Sequence, residues 1–170
     1  MTHYNWTLAT GADVTAIVNM AEQHFQTEID AIFTPEPITM SRNLTHAVIN
    51  QFYIPGSELL SVARDSENKL LAYTWAIRER TCWSDDEMVA VKMAHVDLAC
   101  SPRQRIALVK DMMQQWENYA VQVNIKIVCS TTMRRDQTAF LKLHARNGYD
   151  VRGSFAYKKL SAEQTRLPIR

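Results

Sequence analysis

Glycine is scarce in this sequence: the chain has four glycines in 170 residues, and none lies between Gly56 and Gly148. Glycines at the start of a helix let backbone N–H groups approach a phosphate closely, because no side chain intervenes. An anion site lined by glycine is therefore not expected in the long central stretch. Any anion bound there would have to be held largely by side chains.

Cysteine is scarce as well, and long apolar runs are absent. Cys82, Cys100 and Cys129 are an odd number without CxxC spacing, which argues against a disulfide framework and against a metal knuckle. The first ten residues have no basic segment followed by an apolar run, and no run of about 18 apolar residues occurs. We therefore expect a cytoplasmic, reducing location, no metal site and no membrane span.

The charge balance is close to neutral, with 19 basic and 18 acidic side chains and a formal net charge of +1. A nucleic-acid-binding domain normally needs a strongly basic face, so no nucleic-acid partner is expected. The apolar content of 46% and the charged content of 22% are typical of a globular domain. We predict one domain over residues 1–160, followed by a polar, basic tail over residues 161–170.

Hydrophobic periodicity predicts the element order βααβββαβαβ. Pro35 and Pro37 exclude a regular helix in the loop between the first two helices. The turn residues at 65–68 predict a hairpin. The predicted elements are a strand at 4–9, helices from 14 and from 40, hairpin strands at 58–64 and 70–80, a long strand at 88–98, a helix at 105–121, a strand at 125–131, a helix around 139–145 and a last strand at 149–160.

Two local segments carry a resemblance to a known family. Leu98-Ala99-Cys100-Ser101-Pro102-Arg103-Gln104-Arg105 leaves the long strand through a proline that is followed three residues later by an arginine. The helix that runs from Ala139 to Asn147 ends in the pair Gly148-Tyr149. Together with the element order, these segments resemble the GCN5-related N-acetyltransferases, the GNAT family. The resemblance implies an α/β fold with a mixed, mostly antiparallel central sheet, a splayed strand pair and about four flanking helices.

The resemblance also implies an acetyl-CoA-dependent N-acetyltransferase whose amine substrate is unidentified. The family places glycines directly after the arginine of the strand exit, whereas Ile106, Leu108 and Lys110 occupy the matching positions here. Branched side chains obstruct an anion site at a helix start, and Arg and Lys side chains offer partial compensation. The cofactor-binding residues that the resemblance suggests are Leu98, Ala99, Cys100, Arg103, Arg105, Ile106 and Lys110.

Three residues are candidates for acid–base catalysis. His95 and Asp97 lie two apart on the predicted long strand, so both side chains would point to one face, as a base and its orienting partner. A His–Asp pair that serves structure alone is the competing interpretation. His144 lies where many relatives have the tyrosine that protonates the departing thiolate. Cys100 and Cys129 are more simply apolar fillers than nucleophiles.

A second function stays open beside the enzyme. The loop without glycine fits a GNAT-like domain that has lost its cofactor and acts as a structural or interaction protein, for example in a phage-type assembly. The partner would then be a homodimer mate or another protein of the assembly. The two hypotheses differ in whether the segment from Cys100 to Leu108 is open or filled by side chains.

Overall fold

The computed structural model describes residues 3–29 and 33–153, and it confirms the predicted elements from the first strand to the last helix. The prediction of a last strand from residue 149 is wrong for residues 149–153, which form no strand. Its remaining residues, 154–160, lie outside the described residues together with the tail. No helix in the described ranges is long and apolar enough to cross a membrane. The elements are β1 Tyr4–Leu8, α1 Val14–Thr27, α2 Pro37–Tyr53, β2 Glu58–Asp65, β3 Leu70–Arg80, β4 Glu87–Val96, α3 Pro102–Gln122, β5 Ile127–Ser130 and α4 Thr138–Arg146.

The described residues form two compact units. The first comprises the residues up to His24 together with Pro35–Thr131, and it contains the whole sheet, α2, α3 and most of α1. The second comprises Phe25–Thr34 and the described residues from Thr132, including α4. The single domain over residues 1–160 stays a prediction.

The sheet of the first unit has the strand order β1-β2-β3-β4-β5. β1 to β4 are antiparallel neighbours, and β5 lies parallel to β4, which confirms the mixed, mostly antiparallel sheet. β5 pairs only with Met88 to Val91 and ends at Ser130. β4 continues to Val96, so Lys92 to Val96 have β3 on one side and no paired strand on the other among the described residues. This is the splayed strand pair.

Two local features shape the strands that lead to the splay. The carboxylate of Asp65 accepts backbone N–H groups from Glu67 (3.0 Å) and Lys69 (2.9 Å), while Asn68 adopts a positive φ of 64°. This is how a short acidic side chain closes a hairpin between β2 and β3. In β4 the register shifts by one residue at Lys92, a bulge that lies next to the point where β5 ends.

Apolar layers cover both faces of this sheet. On one face, the apolar stripe of α1 and the buried residues of α2 pack with Leu60, Val62 and Tyr73. On the other face, α3 contributes Leu108, Met112 and Trp116, all essentially inaccessible to water. The indole N–H of Trp116 donates a hydrogen bond of 2.7 Å to the hydroxyl of Thr74, which joins the helix to the middle of β3. Met93 of β4 packs against the first of these layers.

Candidate active site

The connection from β4 to α3 is a tight turn built on Asp97. Its backbone N–H donates to the carbonyl of Leu71 (2.7 Å), and its carbonyl accepts from the backbone N–H of Cys100 (3.0 Å). Its side chain accepts the backbone N–H of Ala99 at 2.9 Å. These three hydrogen bonds of Asp97 fix the path of the chain as it leaves the strand. β4 therefore ends at Val96, two residues before the predicted end.

α3 begins at Pro102, three residues before the predicted start at Arg105. Ser101 is the N-cap: its hydroxyl accepts the backbone N–H of Gln104 at 3.3 Å, and its carbonyl accepts that of Arg105 at 2.9 Å. Proline suits the first position of a helix because its missing N–H would have no partner there. The predicted boundary was wrong because this Ser-Pro start was not recognised as a cap.

The early start changes what the predicted cofactor residues of α3 offer. Ile106, Leu108 and Lys110 lie inside the helix, where backbone N–H groups donate to carbonyls four residues earlier. Leu108 is also fully buried. Ile106 and Lys110 are exposed, so cofactor contacts there stay a prediction that depends on side chains alone. The positively polarised start of the helix lies instead at Ser101 to Gln104.

Arg105 bonds to the turn that precedes it. Its Nε donates to the carbonyl of Cys100 at 3.0 Å, and its Nη2 donates to the carbonyl of Leu98. The guanidinium of Arg105 thus binds two carbonyls of the turn. Arg103, the other arginine of this turn, is exposed. Ala99 is exposed and Leu98 half-buried. Their role in binding a cofactor stays a prediction.

Cys100 is buried in this turn. Burial raises the pKa of its thiol, and the neighbouring Asp97 carboxylate raises the pKa further. A raised pKa leaves little thiolate at neutral pH, and the thiolate is the reactive form. This environment suits the apolar-filler interpretation of Cys100.

Asp97 lies outside β4, so the expectation that it shares a strand face with His95 is wrong. Its carboxylate forms an ion pair with Lys69 of the β2–β3 turn, with an N–O distance of 2.6 Å. Burial alone would raise the pKa of Asp97, but hydrogen bonds from Lys69 and Ala99 outweigh burial and lower the pKa. Its assigned role as a catalytic partner stays a prediction.

His95 lies near the end of β4, opposite Tyr73 of β3, and is 6% exposed. Its ring centroid is 5.4 Å from that of Tyr73 and 4.4 Å from that of His24, which belongs to α1. Sequence reasoning missed His24. The sequence contained a signal for it, because His24 follows Ala21 at helical spacing on the apolar stripe of α1. A polar side chain on an apolar stripe indicates a specific buried contact.

In the second unit, His144 lies on α4 and is 3% exposed. Its Nδ1 lies 3.0 Å from the carbonyl of Phe140, so this nitrogen carries the proton and donates. The ring packs against that of Phe140 at a tilt of 41°, with centroids 4.0 Å apart, and meets the edge of Tyr149 at 5.0 Å. Burial lowers the pKa of His144, and the hydrogen bond to Phe140 raises the pKa by less.

A lowered pKa makes stability depend on pH in a definite direction. Between the pKa of folded His144 and its unfolded value of about 6.5, the unfolded chain binds more protons than the folded one. The stabilisation is present above that unfolded value and is lost as pH falls through the folded pKa, at up to about 1.4 kcal/mol per pH unit. We expect His144→Phe to flatten this acid dependence in urea titrations at several pH values. An unchanged slope would contradict the prediction.

Comparison with solved structures identifies the fold. No protein-family model and no curated protein matches the sequence. A predicted acetyltransferase from Clostridium acetobutylicum, crystallised with acetyl-CoA, superposes with a TM-score of 0.67 at 12% identity over 95% of this chain and 98% of its own. The chain has the GNAT fold.

Other GNAT structures superpose equally fully. A ribosomal-protein-alanine N-acetyltransferase from Brucella melitensis biovar Abortus 2308 gives a TM-score of 0.63 at 9% identity, over 93% of this chain and 99% of its own. An aminoglycoside 6′-N-acetyltransferase from Acinetobacter baumannii gives 0.61 at 14% identity, over 94% and 99%. The GNAT resemblance in the sequence is therefore confirmed at the level of fold.

Proposed function

We propose that this GNAT-fold protein is an N-acyltransferase that transfers the acetyl group of acetyl-CoA to an amine. The observation that carries the proposal is the splay: β4 extends beyond the end of β5, and Met93 and Ala94 pair with β3 on one side and with no strand on the other among the described residues. An unpaired strand edge offers N–H and C=O groups that an extended ligand can bond.

The superposed structures support the cofactor and the substrate class. One of them was crystallised with acetyl-CoA, and another is named for acetylation of an aminoglycoside. A third is named for acetylation of alanine in a ribosomal protein. The shared chemistry of these acceptors is a primary amine. At 9% to 14% identity the fold does not choose between a small amine and a protein N-terminus.

The residues of the β4–α3 junction fit acetyl-CoA in part. The unpaired edge of β4 suits the extended arm of the molecule, and the start of α3 at Ser101 to Gln104 suits its pyrophosphate. Arg103 is exposed beside that helix start and can add a charge-assisted hydrogen bond. The backbone N–H groups of residues 106, 108 and 110 do not fit the pyrophosphate, because they donate to carbonyls within the helix.

The proposed chemistry needs a base for the amine and stabilisation of developing negative charge. Bound acetyl-CoA supplies an activated acyl group. His95 accepts the proton that the attacking amine must lose, directly or through a water. Main-chain N–H groups on the open edge of β4 stabilise charge on the acyl oxygen. His144 protonates the departing thiolate, as the family resemblance implies.

Calorimetric titration of the purified protein with acetyl-CoA tests the proposal at its first step. We expect binding, and we expect Arg103→Ala to weaken it about tenfold, because a charge-assisted hydrogen bond to phosphate is lost. Lys126→Ala is the matched control, since Lys126 is an exposed cation just past the other end of α3. Weakening by both variants alike would show nonspecific charge attraction, contrary to a site at Arg103.

One observation favours the alternative of an inactive, GNAT-like interaction protein. The backbone N–H groups of residues 106, 108 and 110 donate to carbonyls within the helix and cannot bind a phosphate. The guanidinium of Arg105 donates to the carbonyls of Leu98 and Cys100. Absence of acetyl-CoA binding by a folded protein would support this alternative and contradict the enzyme. Release of coenzyme A in the presence of an aminoglycoside or a peptide with N-terminal alanine would decide for the enzyme.

A further inference from the structure

We propose that Glu58 binds a second ammonium group of the acceptor, so that the enzyme acts on small amines that carry two positive charges. The inference rests on the proposed function, in which the acceptor amine attacks an acyl group at the open edge of β4. It chooses between the acceptor classes that the fold leaves open. Three observations within the first unit support it: an unpaired carboxylate, an aromatic ring beside that carboxylate, and its distance from the splay.

Glu58, the first residue of β2, has a carboxylate that is held by two neutral donors. The side-chain amide of Asn50 on α2 donates to one oxygen at 2.6 Å, and the indole N–H of Trp75 on β3 donates to the other at 2.6 Å. A carboxylate has about four lone-pair sites, so each oxygen can accept a further donor. The carboxylate is therefore fixed in position and still has sites for a ligand.

No cation pairs with this carboxylate in the part of the chain that the structure describes. Arg78, which follows the cross-strand partner of Glu58, pairs instead with Glu87 at 2.6 Å. Glu58 is half-buried, and its two neutral hydrogen bonds supply no positive charge to balance the carboxylate. A fixed, half-buried carboxylate without a counter-ion favours binding of an external cation that can donate hydrogen bonds.

Trp75 brings an aromatic ring to the same place. Leu60, its cross-strand partner on β2, belongs to the apolar layer that α1 and α2 form with the sheet, and Trp75 is partly buried against that layer. Glu58 lies two residues before Leu60 and so faces the same side of the sheet. The indole therefore lies beside the carboxylate, where its face can add cation–π attraction for an ammonium group.

The register of the sheet sets the distance from Glu58 to the proposed site of acyl transfer. Trp75 pairs with Met93, which lies on the open edge of β4. Glu58 is two strands away from β4 and offset by two residues, which places the two main chains about 12 Å apart. A cation at Glu58 would then lie roughly 7–10 Å from the reacting nitrogen. Hexamethylenediamine, whose nitrogen atoms are about 9 Å apart when extended, matches that span.

NMR observation of the Trp75 indole N–H tests the site without any cofactor, because this proton lies on the bond to Glu58. We expect hexamethylenediamine to shift the resonance, which is assigned by its loss in Trp75→Phe. Hexylamine, which has the same chain and one charge, should bind about tenfold more weakly, because it cannot place a second ammonium at the carboxylate. Equal affinities of the two amines would overturn the inference.

Glu58→Gln removes the charge and keeps an oxygen that can accept from Trp75. We expect this variant to weaken diamine binding about tenfold. Glu67→Gln is the matched control, since it makes the same change at an exposed glutamate of the β2–β3 turn, and it should leave diamine binding unchanged. Undiminished binding in Glu58→Gln, or equal losses in both variants, would contradict a site at Glu58. If Glu58→Gln does not fold, the comparison of the two amines on the wild-type protein still decides.

Asn50→Ala separates binding from a purely structural role, in which Glu58 only ties α2 to β3. This variant cuts the tie and leaves the carboxylate in place, so we expect lower stability in urea titrations and a diamine affinity within about twofold of the wild-type value. A loss of diamine affinity equal to that in Glu58→Gln would show that only the packing of α2 matters, and it would overturn the inference.

Turnover with acetyl-CoA separates this inference from the proposed function. We expect Glu58→Gln to raise the KM for hexamethylenediamine about tenfold with kcat changed less, as for a residue that contributes binding alone, and Glu67→Gln to raise neither. Diamine binding that depends on Glu58, in a protein that neither binds nor uses acetyl-CoA, would contradict the proposed function alone. An active enzyme that does not distinguish the diamine from hexylamine would contradict this inference alone.

Discussion

Replacing His144 by phenylalanine is expected to lower turnover about 100-fold, with acetyl-CoA affinity changed less than about twofold. The reason is the loss of a proton donor for the departing thiolate, a role that acts in the transition state and leaves ground-state binding unaffected. Release of coenzyme A, followed with a thiol reagent, measures turnover, and calorimetry measures affinity. Unchanged turnover would remove His144 from the mechanism.

Phenylalanine suits this position because His144 is held mainly by ring contacts. It packs against the tilted ring of Phe140 and meets the edge of Tyr149, and both contacts can be kept by another aromatic ring. The hydrogen bond from Nδ1 to the carbonyl of Phe140 is lost, but that carbonyl still accepts the helical N–H four residues later. A change in turnover would therefore report chemistry and not a collapsed helix.

The pH profile separates the two roles that an imidazole can have here. Burial lowers the pKa of His144, so the ring is mostly neutral at neutral pH. A general acid must carry its proton first, and turnover should then fall as pH rises through that lowered pKa. If His144 acted as a general base, turnover would instead rise as pH rises through that pKa. His46→Phe, an exposed histidine of α2, is the control and should change neither limb.

The sequence predicted the order of elements well because period-2 and period-3.6 patterns are local properties. It placed the start of α3 three residues late, although Ser101 followed by Pro102 is a recognisable N-cap and first helical position. That error mattered for the site, because it placed residues 106 to 110 at the start of the helix, beside a phosphate. The helix start defines which amides are exposed, and the helix start depends on the cap.

The side-chain partners of the site were beyond sequence reasoning for a different physical reason. Asp97 meets Lys69 because β3 lies beside β4 and brings the β2–β3 turn to the strand exit. His95 meets His24 because α1 packs across the end of β4. Neither pairing leaves a trace in local periodicity, since each joins residues more than 25 positions apart. The candidate His95 was found; what surrounds it was not.

The largest effect on stability is expected at Trp116, whose replacement by alanine should lower the free energy of unfolding by about 3–5 kcal/mol. Its side chain is 0% exposed beneath the sheet, and its loss leaves a cavity together with a buried Thr74 hydroxyl that loses its donor. A loss of this size is comparable with the whole stability of a small domain, about 5–15 kcal/mol. Urea denaturation followed by circular dichroism measures it.

Trp83→Ala is the matched control for that experiment, because the same substitution is made at a tryptophan that is 82% exposed. Exposed positions away from special contacts change stability by about 0.5 kcal/mol or less, so only the buried tryptophan should matter. Equal effects of the two variants would contradict the placement of α3 on the sheet. Since α3 starts at the strand exit and packs behind β4, loosening it at Trp116 should also weaken acetyl-CoA binding.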